Sequence, residues 1–228
     1  AFSKVPVAEL LSKEYAAKRR ALIDPSRAIE SPLPGTVLDK GDTTYLTVVD
    51  KDRNAVSFIN SLFEAFGSGV AVGDTGIVLQ SRGTGFSLDP KHPNRLEPGK
   101  RPFHTIIPAM VFKDGKLFMS FGVMGGAIQP QGHVQVLVNM IDRGMNVQQA
   151  IEAPRYRFMS GNGVLLEDAL GSSVIRRLIE LGHRRLRPDA GNAIRGQMGG
   201  GQAIVIDAAT GTLMGGSDPR KDGMALGY

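Results

Sequence analysis

The chain after residue 42 carries short runs of β-branched, aromatic and aliphatic residues that are separated by polar turns. Two such runs, at 45–49 and 55–59, flank a turn-like stretch at 50–54. The same arrangement recurs around Lys113-Asp114-Gly115, with runs at 107–112 and 116–121, and again at 202–207 and 212–216. The pattern therefore predicts three antiparallel hairpins.

Helical spacing of apolar residues appears between the second and third hairpins. One apolar face is predicted over 134–141 and ends at Gly144, and a shorter helix follows at 147–152. A further helix is predicted from an N-cap at Ser172-Ser173 to Gly182. Hairpins with helices between them describe an α+β domain, in which helices cover antiparallel sheets.

The first part of the chain has a different character. Near-helical spacing over 6–23 predicts one helix, which Asp24-Pro25 ends. From there to Asp42 the chain is rich in Pro and Gly with little periodicity, and we interpret it as a linker. A second stretch of this composition, at 83–101, is predicted to be a long functional loop.

Composition excludes several classes of site. The 228 residues are 42% hydrophobic, and no apolar run reaches the roughly 18–20 residues of a membrane span, so we expect no membrane partner. Cysteine is absent, which excludes disulfides and thiolate chemistry but leaves the compartment open. The four histidines are scattered, and Gly199-Gly200-Gly201 precedes a strand instead of a helix. We therefore expect no metal and no cofactor.

The net charge is +5, and part of the excess lies in local runs of Lys and Arg. These runs are interpreted as solvated helix faces, because no aromatic residues are interleaved with them and no nucleic-acid-binding motif is present. We expect no nucleic-acid partner.

Hydroxyl chemistry remains, and Thr43 is its candidate. Thr43 begins a strand directly after the linker, so a break of the Asp42–Thr43 bond gives it a free α-amino group beside its own hydroxyl. That amine has a pKa of about 8 and can accept the hydroxyl proton. One residue then supplies nucleophile and base. Taken alone, Thr43-Thr44 fits the plain start of a strand better; the wider context reverses that preference.

The run at 43–57 resembles the start of the small subunit of gamma-glutamyltranspeptidases, and further matching motifs follow in family order to Tyr228. They are Lys100-Arg101-Pro102, Pro108-Ala109-Met110, Lys113-Asp114-Gly115-Lys116, Gly122-Val123-Met124-Gly125-Gly126, Asp142-Arg143-Gly144-Met145-Asn146-Val147, Ala153-Pro154-Arg155 and Ser217-Asp218-Pro219-Arg220.

The resemblance implies a four-layer αββα N-terminal-nucleophile (Ntn) hydrolase, made as a precursor that cuts itself between Asp42 and Thr43. Residues 1–42 would then be the end of the large subunit, and residues 43–228 the small catalytic subunit. The implied partners are the remainder of the large subunit and a small-molecule amide substrate. A homo-oligomer of the processed heterodimer is left open. The start at Ala1, without Met, agrees with a processed chain or a fragment.

The resemblance also assigns a catalytic core. Thr43 is the implied nucleophile. Ser61 stands where the family usually has a threonine that hydrogen-bonds the nucleophile and its amine, and a hydroxyl is retained there. Gly125 and Gly126 match the pair whose backbone N–H groups form the oxyanion hole.

The implied substrate contacts depart from the family pattern. Phe63 stands in place of a polar residue, while Arg82 and Gly85 replace the glutamine and aspartate that hold the α-amino group of glutamate. His104 and Thr105 replace a serine pair that helps to hold the α-carboxylate. Arg82 without an acid at 85 disfavours an ammonium group and suits an acyl group that ends in a bare carboxylate, such as glutaryl. Whether Arg82 faces the substrate stays open at this point.

We therefore expect a gamma-glutamyltransferase-like Ntn hydrolase that cleaves a γ-glutamyl group from glutathione or a related amide through an ester on Thr43. Transfer to an acceptor is left open. One alternative is a cephalosporin/glutaryl-type acylase, and another is a non-catalytic pseudoenzyme subunit. The retained Thr43, Ser61, Gly125 and Gly126 argue against the last.

Overall fold

Residues 5–30, 42–187 and 194–227 are described by a computed structural model. They form helices and β-strands, and the three predicted hairpins are present with helices between the second and the third. In chain order the elements are α1 (Val7–Leu10), α2 (Lys13–Arg20), β1 (Asp42–Val49), β2 (Ala55–Phe63), β3 (Ala109–Lys113), β4 (Lys116–Met124), α3 (Ile128–Ile141), α4 (Val147–Glu152), β5 (Tyr156–Phe158), β6 (Gly163–Leu166), α5 (Ser172–Glu180), β7 (Arg184–Arg185), α6 (Ile194–Gln197), β8 (Gly200–Ile206) and β9 (Leu213–Ser217).

Strands β1 and β2 form a two-stranded antiparallel sheet. The Asp50 carboxylate closes their turn, because it accepts hydrogen bonds from the Asn54 backbone N–H and side-chain amide, both at 2.8 Å. Side chains alternate between the two faces, so Tyr45 and Ile59 are buried on one of them. The opposite face stays exposed among the described residues. Its apolar side chains form the cross-strand pairs Leu46–Phe58 and Val48–Val56.

The other two predicted hairpins join in one four-stranded antiparallel sheet of order β3-β4-β8-β9. The β3–β4 turn uses left-handed backbone at Asp114 (φ 51°) and Gly115 (φ 75°). All three hairpin predictions are confirmed.

Helices α3 and α4 cover one face of the four-stranded sheet and enclose the main core. An Asn146–Gln149 capping box begins α4. Helix α3 begins at Ile128, six residues earlier than the apolar face at 134–141 predicted. The first turns of the helix carry the buried polar residues Gln129 and His133. Because these residues are polar, the hydrophobic pattern does not show that this side of the helix faces the core. The core side chains are Met119, Phe121, Val123, Val136, Val147, Ala150, Ile151, Ala203 and Val205.

A third sheet, β5-β6-β7, has no counterpart among the predicted elements. Its strands have two to four residues, which is too short for an alternating hydrophobic pattern to be recognised. The β6 strand also pairs in parallel with β7, which follows only after α5, so the pairing is not local in the sequence. The helix predicted to begin at 172 is present as α5. Its N-cap is Gly171 without a side-chain cap, so the predicted Ser172-Ser173 cap is wrong.

The predicted N-terminal helix is two helices. The Ser12 hydroxyl accepts a hydrogen bond from Tyr15 N at 3.0 Å and caps α2, which interrupts the helix after α1. Neither helix buries a residue against the rest of the described chain. Most of the predicted linker, at 31–41, lies outside the described residues.

Three layers follow from these contacts: α3 and α4, the four-stranded sheet, and the β1–β2 sheet, which packs on β4 and β8. The α+β prediction is confirmed. The described residues place no helical layer on the open face of β1–β2. None of their helices is long and apolar enough to cross a membrane, and they contain no group of three or more acidic or histidine side chains that could hold a metal.

Candidate active site

The register of the first hairpin places Thr43 directly opposite Ser61. The Thr43 hydroxyl donates a hydrogen bond to Ser61 Oγ at 3.0 Å, and Ser61 Oγ also accepts one from Phe63 N at 3.0 Å. Thr43 is half-buried, so its hydroxyl is both oriented and reachable. The structure therefore brings together two of the residues predicted for the catalytic core.

The pairing of β1 with β2 is irregular at the predicted cleavage bond. Thr43 pairs with Ser61 but Asp42 pairs with Phe63, which leaves Leu62 as an extra residue on β2. The Leu62 carbonyl accepts a hydrogen bond from Ser81 N at 2.9 Å, outside the sheet. Phe63 has left-handed backbone (φ 78°), which costs a bulky residue roughly 1–2 kcal/mol.

Gly125 and Gly126 end β4 in a sharp turn with φ values of 124° and 69°. A Cβ at Gly125 would lie 2.8 Å from the Gly199 Cα and 3.0 Å from Ile128 Cγ2, so only glycine fits. Helix α3 begins immediately after the turn, and its N-cap, Ala127, provides no side-chain cap. The positive end of the α3 dipole therefore lies beside these glycines, an arrangement that favours negative charge.

Contacts between the two sheets relate Thr43 to the glycines. Thr47 and Ser120 share a hydrogen bond of 2.6 Å, and the Tyr45 ring lies against Gly122. The two strands therefore run in opposite directions in this contact: two residues back along β1, from Thr47 to Tyr45, correspond to two residues forward along β4, from Ser120 to Gly122. The next step carries Thr43 to the level of Met124, adjacent to Gly125.

Arg82 continues the line of contacts from Thr43. Its guanidinium carbon lies 5.4 Å from the centre of the Phe63 ring, and Nη1 donates to Thr105 Oγ1. Nη2 is buried and has no hydrogen-bond partner among the described residues. Burial lowers the pKa of Arg82, although an arginine keeps its charge at neutral pH. The structure therefore turns Arg82 toward Thr105 and Phe63, the residue whose backbone N–H donates to Ser61.

Two residues predicted for substrate binding are placed differently. Gly85 ends the 3-10 turn that Arg82 begins, and its carbonyl accepts a hydrogen bond from Asn94 Nδ2 at 2.6 Å. His104 precedes Thr105 but is exposed and makes no hydrogen bond to another described residue. The geometry thus brings Thr105, but not the His104 side chain, into contact with Arg82.

A buried charge cluster that the sequence analysis did not single out supports the glycine turn. Arg155 pairs with Asp218 at 2.8 Å, and Arg220 pairs with Asp218 at 3.1 Å and with Glu167 at 2.6 Å. Asp218 also accepts a hydrogen bond from Gly201 N at 2.8 Å, which anchors β8 close to Gly199. Arg155, Asp218 and Arg220 belong to two of the quoted family motifs, which carried no role, and no signal in the sequence pointed to Glu167.

The buried side chain of His133 also supports the strand that leads to the glycine turn. Its Nε2 accepts a hydrogen bond from Val123 N at 3.0 Å, two residues before Gly125. Burial, and then the charge of Arg155, lower the pKa of His133 to about 4 from 6.5. The imidazole is therefore neutral at physiological pH, which the accepted hydrogen bond requires.

Known proteins are similar to this chain in sequence. The family model described as gamma-glutamyltranspeptidase matches residues 1–228. The chain belongs to the gamma-glutamyltranspeptidase family. It is 42% identical to the glutathione hydrolase-like YwrD proenzyme of Bacillus subtilis, over 100% of this chain and 43% of that protein. It is 39% identical to the oxamate amidohydrolase proenzyme of Klebsiella pneumoniae, over 98% of this chain and 42% of that protein.

A solved structure is similar to this chain as well. The cephalosporin acylase from Bacillus halodurans superposes with a TM-score of 0.87 and 45% identity, over 99% of this chain and 40% of that one. The predicted family and the α+β Ntn-hydrolase fold are therefore confirmed. The chain spans less than half the length of each of these three relatives.

Proposed function

We propose that this protein is a gamma-glutamyltransferase-like amide hydrolase in which Thr43 becomes the N-terminal nucleophile after cleavage of the Asp42–Thr43 bond. The supporting observation is the 3.0 Å hydrogen bond from the Thr43 hydroxyl to Ser61, made at a register shift beside that bond. A hydroxyl beside its own free amine is the minimal set of groups for acyl transfer.

The reaction divides into two displacements. The Thr43 hydroxyl oxygen attacks the amide carbonyl carbon, and its proton passes to the α-amino group of Thr43, whose pKa is about 8. The C–N bond breaks, the leaving amine takes that proton, and the acyl group stays as an ester on Thr43. Water then attacks the ester and releases the acid, while the Thr43 oxygen regains a proton.

Gly125 and Gly126 fit the role of oxyanion donors in both displacements. Their turn leaves backbone N–H groups beside the positive end of α3, level with Thr43 along the paired sheets. Donors of this kind lower the barrier because they are oriented before charge develops, and the loss of one costs roughly a hundredfold or more in rate.

The direct test is self-cleavage of the full-length precursor. We expect it to separate into two bands on a denaturing gel, with the smaller fragment beginning at Thr43. Thr43→Ala should remain one band, while Thr44→Ala, at the exposed neighbouring position, should still be cut. A wild-type precursor that never splits and shows no amidase activity identifies the non-catalytic alternative instead.

Glutathione or a related γ-glutamyl amide is the substrate that family membership and the YwrD relative support. Arg82 supports a second candidate, an acylase for amides whose acyl part ends in a carboxylate. A guanidinium beside Thr105 whose buried Nη2 has no hydrogen-bond partner among the described residues can bind a carboxylate, and Gly85 provides no acid for an ammonium group. Relatives named as an oxamate amidohydrolase and a cephalosporin acylase agree with this candidate.

The two candidates are separated by matched substrates. The γ-glutamyl and glutaryl anilides differ only in the α-amino group of the acyl part, and their rates of hydrolysis are compared. Preference for glutaryl supports the acylase, and Arg82→Met should then remove that preference without preventing self-cleavage. A clear preference for γ-glutamyl contradicts the argument from Arg82 and Gly85.

The open face of β1–β2 supports the remainder of the large subunit as partner. Leu46, Val48, Val56 and Phe58 are each 44–50% exposed and form one apolar surface, which a helical layer would bury. The mass of the processed complex in light scattering determines whether this heterodimer also forms a homo-oligomer.

A further inference from the structure

The two sheets that carry Thr43 and Gly125 are in close contact where the Tyr45 ring lies on Gly122. A Cβ built at Gly122 would lie 2.5, 2.7 and 2.9 Å from Tyr45 Cε2, Cδ2 and Cζ. Distances this short leave no room for a methyl group. Tyr45 is only 4% exposed, so the ring is enclosed and has no open direction in which to move.

Hydrogen bonds hold the ring in this position. The Tyr45 hydroxyl shares a hydrogen bond of 2.7 Å with Ser57 Oγ, and Ser57 Oγ donates to the Phe121 carbonyl at 3.3 Å. The Thr47–Ser120 pair makes a parallel bridge one step farther along the strands. Burial raises the pKa of the Tyr45 phenol, which keeps it a neutral donor and acceptor.

Both positions lie one short step from the proposed site. Tyr45 is two residues after Thr43 and points to the same face of β1, because side chains alternate along a strand. Gly122 is three residues before Gly125 on β4. A change in the spacing at this contact is therefore transmitted along two rigid strands to the nucleophile and the oxyanion turn.

We propose that Tyr45 and Gly122 act as a positioning pair that sets the distance between Thr43 and the Gly125–Gly126 turn. The inference rests on the proposed function, since it concerns the geometry of that reaction. Spacing matters because a displacement of about 1 Å between reacting groups can cost roughly a hundredfold in rate.

Gly122→Ala in the full-length precursor tests the pair. We expect the rate of self-cleavage and the kcat of amide hydrolysis to fall by about tenfold or more, with KM within about threefold. Gly163→Ala is the matched control, because its Cβ would lie 2.9 Å from Leu186 Cδ1, at a buried glycine in the third sheet. Gly163→Ala should lower the stability of the protein, but it should not lower kcat at a nearly constant KM. Unchanged kcat in Gly122→Ala overturns the inference.

Removal of the ring should compensate for the added methyl group. Tyr45→Leu combined with Gly122→Ala is expected to be more active than Gly122→Ala alone, and a double variant that is no more active contradicts the pairing. If Gly122→Ala does not fold, Tyr45→Leu alone tests the pair from the other side, because loss of the ring lets the sheets approach. An unchanged kcat in that variant overturns the proposal.

Crystal structures separate failure of this inference from failure of the proposed function. A wild-type precursor without self-cleavage or amidase activity refutes the function, yet the spacing can still be measured. The Thr43–Gly125 Cα distance should increase by about 0.5 Å or more in Gly122→Ala relative to wild type, a large part of the displacement that affects catalysis. An unchanged distance refutes the positioning role, whatever the activity.

Discussion

Ser61 connects the proposed nucleophile to the irregular end of its hairpin. Its Oγ accepts hydrogen bonds from the Thr43 hydroxyl and from Phe63 N, so one atom orients the nucleophile and holds the left-handed residue. This double role depends on the extra residue Leu62, which turns the Phe63 N–H back toward Ser61. A hydroxyl at this position is therefore more important than the particular residue that provides it.

Ser61→Ala should lower the rates of self-cleavage and of amide hydrolysis by roughly tenfold to a hundredfold, because Thr43 loses the acceptor that orients it. Ser61→Thr keeps the hydroxyl and should stay within a few-fold of wild type in both assays. Equal loss in the two variants, measured by gel densitometry and anilide hydrolysis, would refute the role of the hydroxyl.

At the scale of elements, α3 is fastened to β4 by a histidine that must stay neutral. His133 has a folded-state pKa of about 4 and an ordinary value of 6.5, so its stabilising effect is complete above pH 6.5 and declines as the pH falls toward 4. The two values correspond to a contribution of about 3 kcal/mol at most. Below pH 4 both states are protonated and the decline ends.

Chemical denaturation of wild type and His133→Gln from pH 7.5 to pH 4 measures this contribution. Glutamine can accept the hydrogen bond from the Val123 N–H, but its side chain does not titrate. The free energy of unfolding of wild type should therefore fall more steeply with decreasing pH than that of the variant. Parallel curves would show that His133 does not contribute to the pH dependence.

The C-terminus of α4 is held by Arg220, whose guanidinium also pairs with Asp218 and Glu167. Nη1 donates to Ile151 O at 3.0 Å and Nη2 to Ala153 O at 2.9 Å, which satisfies carbonyls at the helix end. Arg220→Met leaves two buried carboxylates without this partner. We expect it to reduce the free energy of unfolding by about 3–5 kcal/mol.

The matched control for Arg220 is Arg177→Met, because Arg177 pairs with Glu180 at 3.5 Å on the exposed side of α5. An exposed pair contributes only about 0–1 kcal/mol. Urea unfolding of both variants should show a large loss for Arg220 and almost none for Arg177. Similar losses would mean that burial does not determine the strength of these ion pairs.

For the whole molecule, we expect the open face of β1–β2 to hold the proposed heterodimer together. Phe58→Asp puts a charge at the centre of the apolar surface, so the two fragments should separate or precipitate after cleavage instead of eluting together from a sizing column. Val174→Asp changes a residue of similar exposure on α5 (46% against 49%) and should leave the complex intact. Co-elution of both Phe58→Asp fragments would contradict this interface.

The boundary at Asp42–Thr43 and the site roles stay predictions that these experiments address. The predicted roles of Ser61, Gly125 and Gly126 rest on the family resemblance, whereas Thr43 was also a candidate from its own chemistry, a hydroxyl beside a free amine after cleavage. The structure adds the mutual arrangement of these residues, including the register shift at the cleavage bond and the position of Arg82 beside Phe63.

The sequence by itself determined the three hairpins, the positions of α4 and α5, and the family. Each depends on residues close together in the chain: turn formers such as Asp50 and Gly115, apolar residues at a regular spacing, or motifs of a few residues. One of its errors arose where a single polar residue overrode a periodic pattern, as Ser12 does between α1 and α2.

Only the tertiary structure decided the third sheet, the buried Arg155–Asp218–Arg220 cluster and the contact of Tyr45 with Gly122. The deciding contacts, such as Arg155 with Asp218 and Tyr45 with Gly122, join residues far apart in the chain, and their residue types are common in ordinary strands and loops. Periodicity shows which side of an element is buried, but the packing of one element on another determines which residues meet there. For this reason the candidate nucleophile could be found in the sequence, whereas its distance from the oxyanion turn could not.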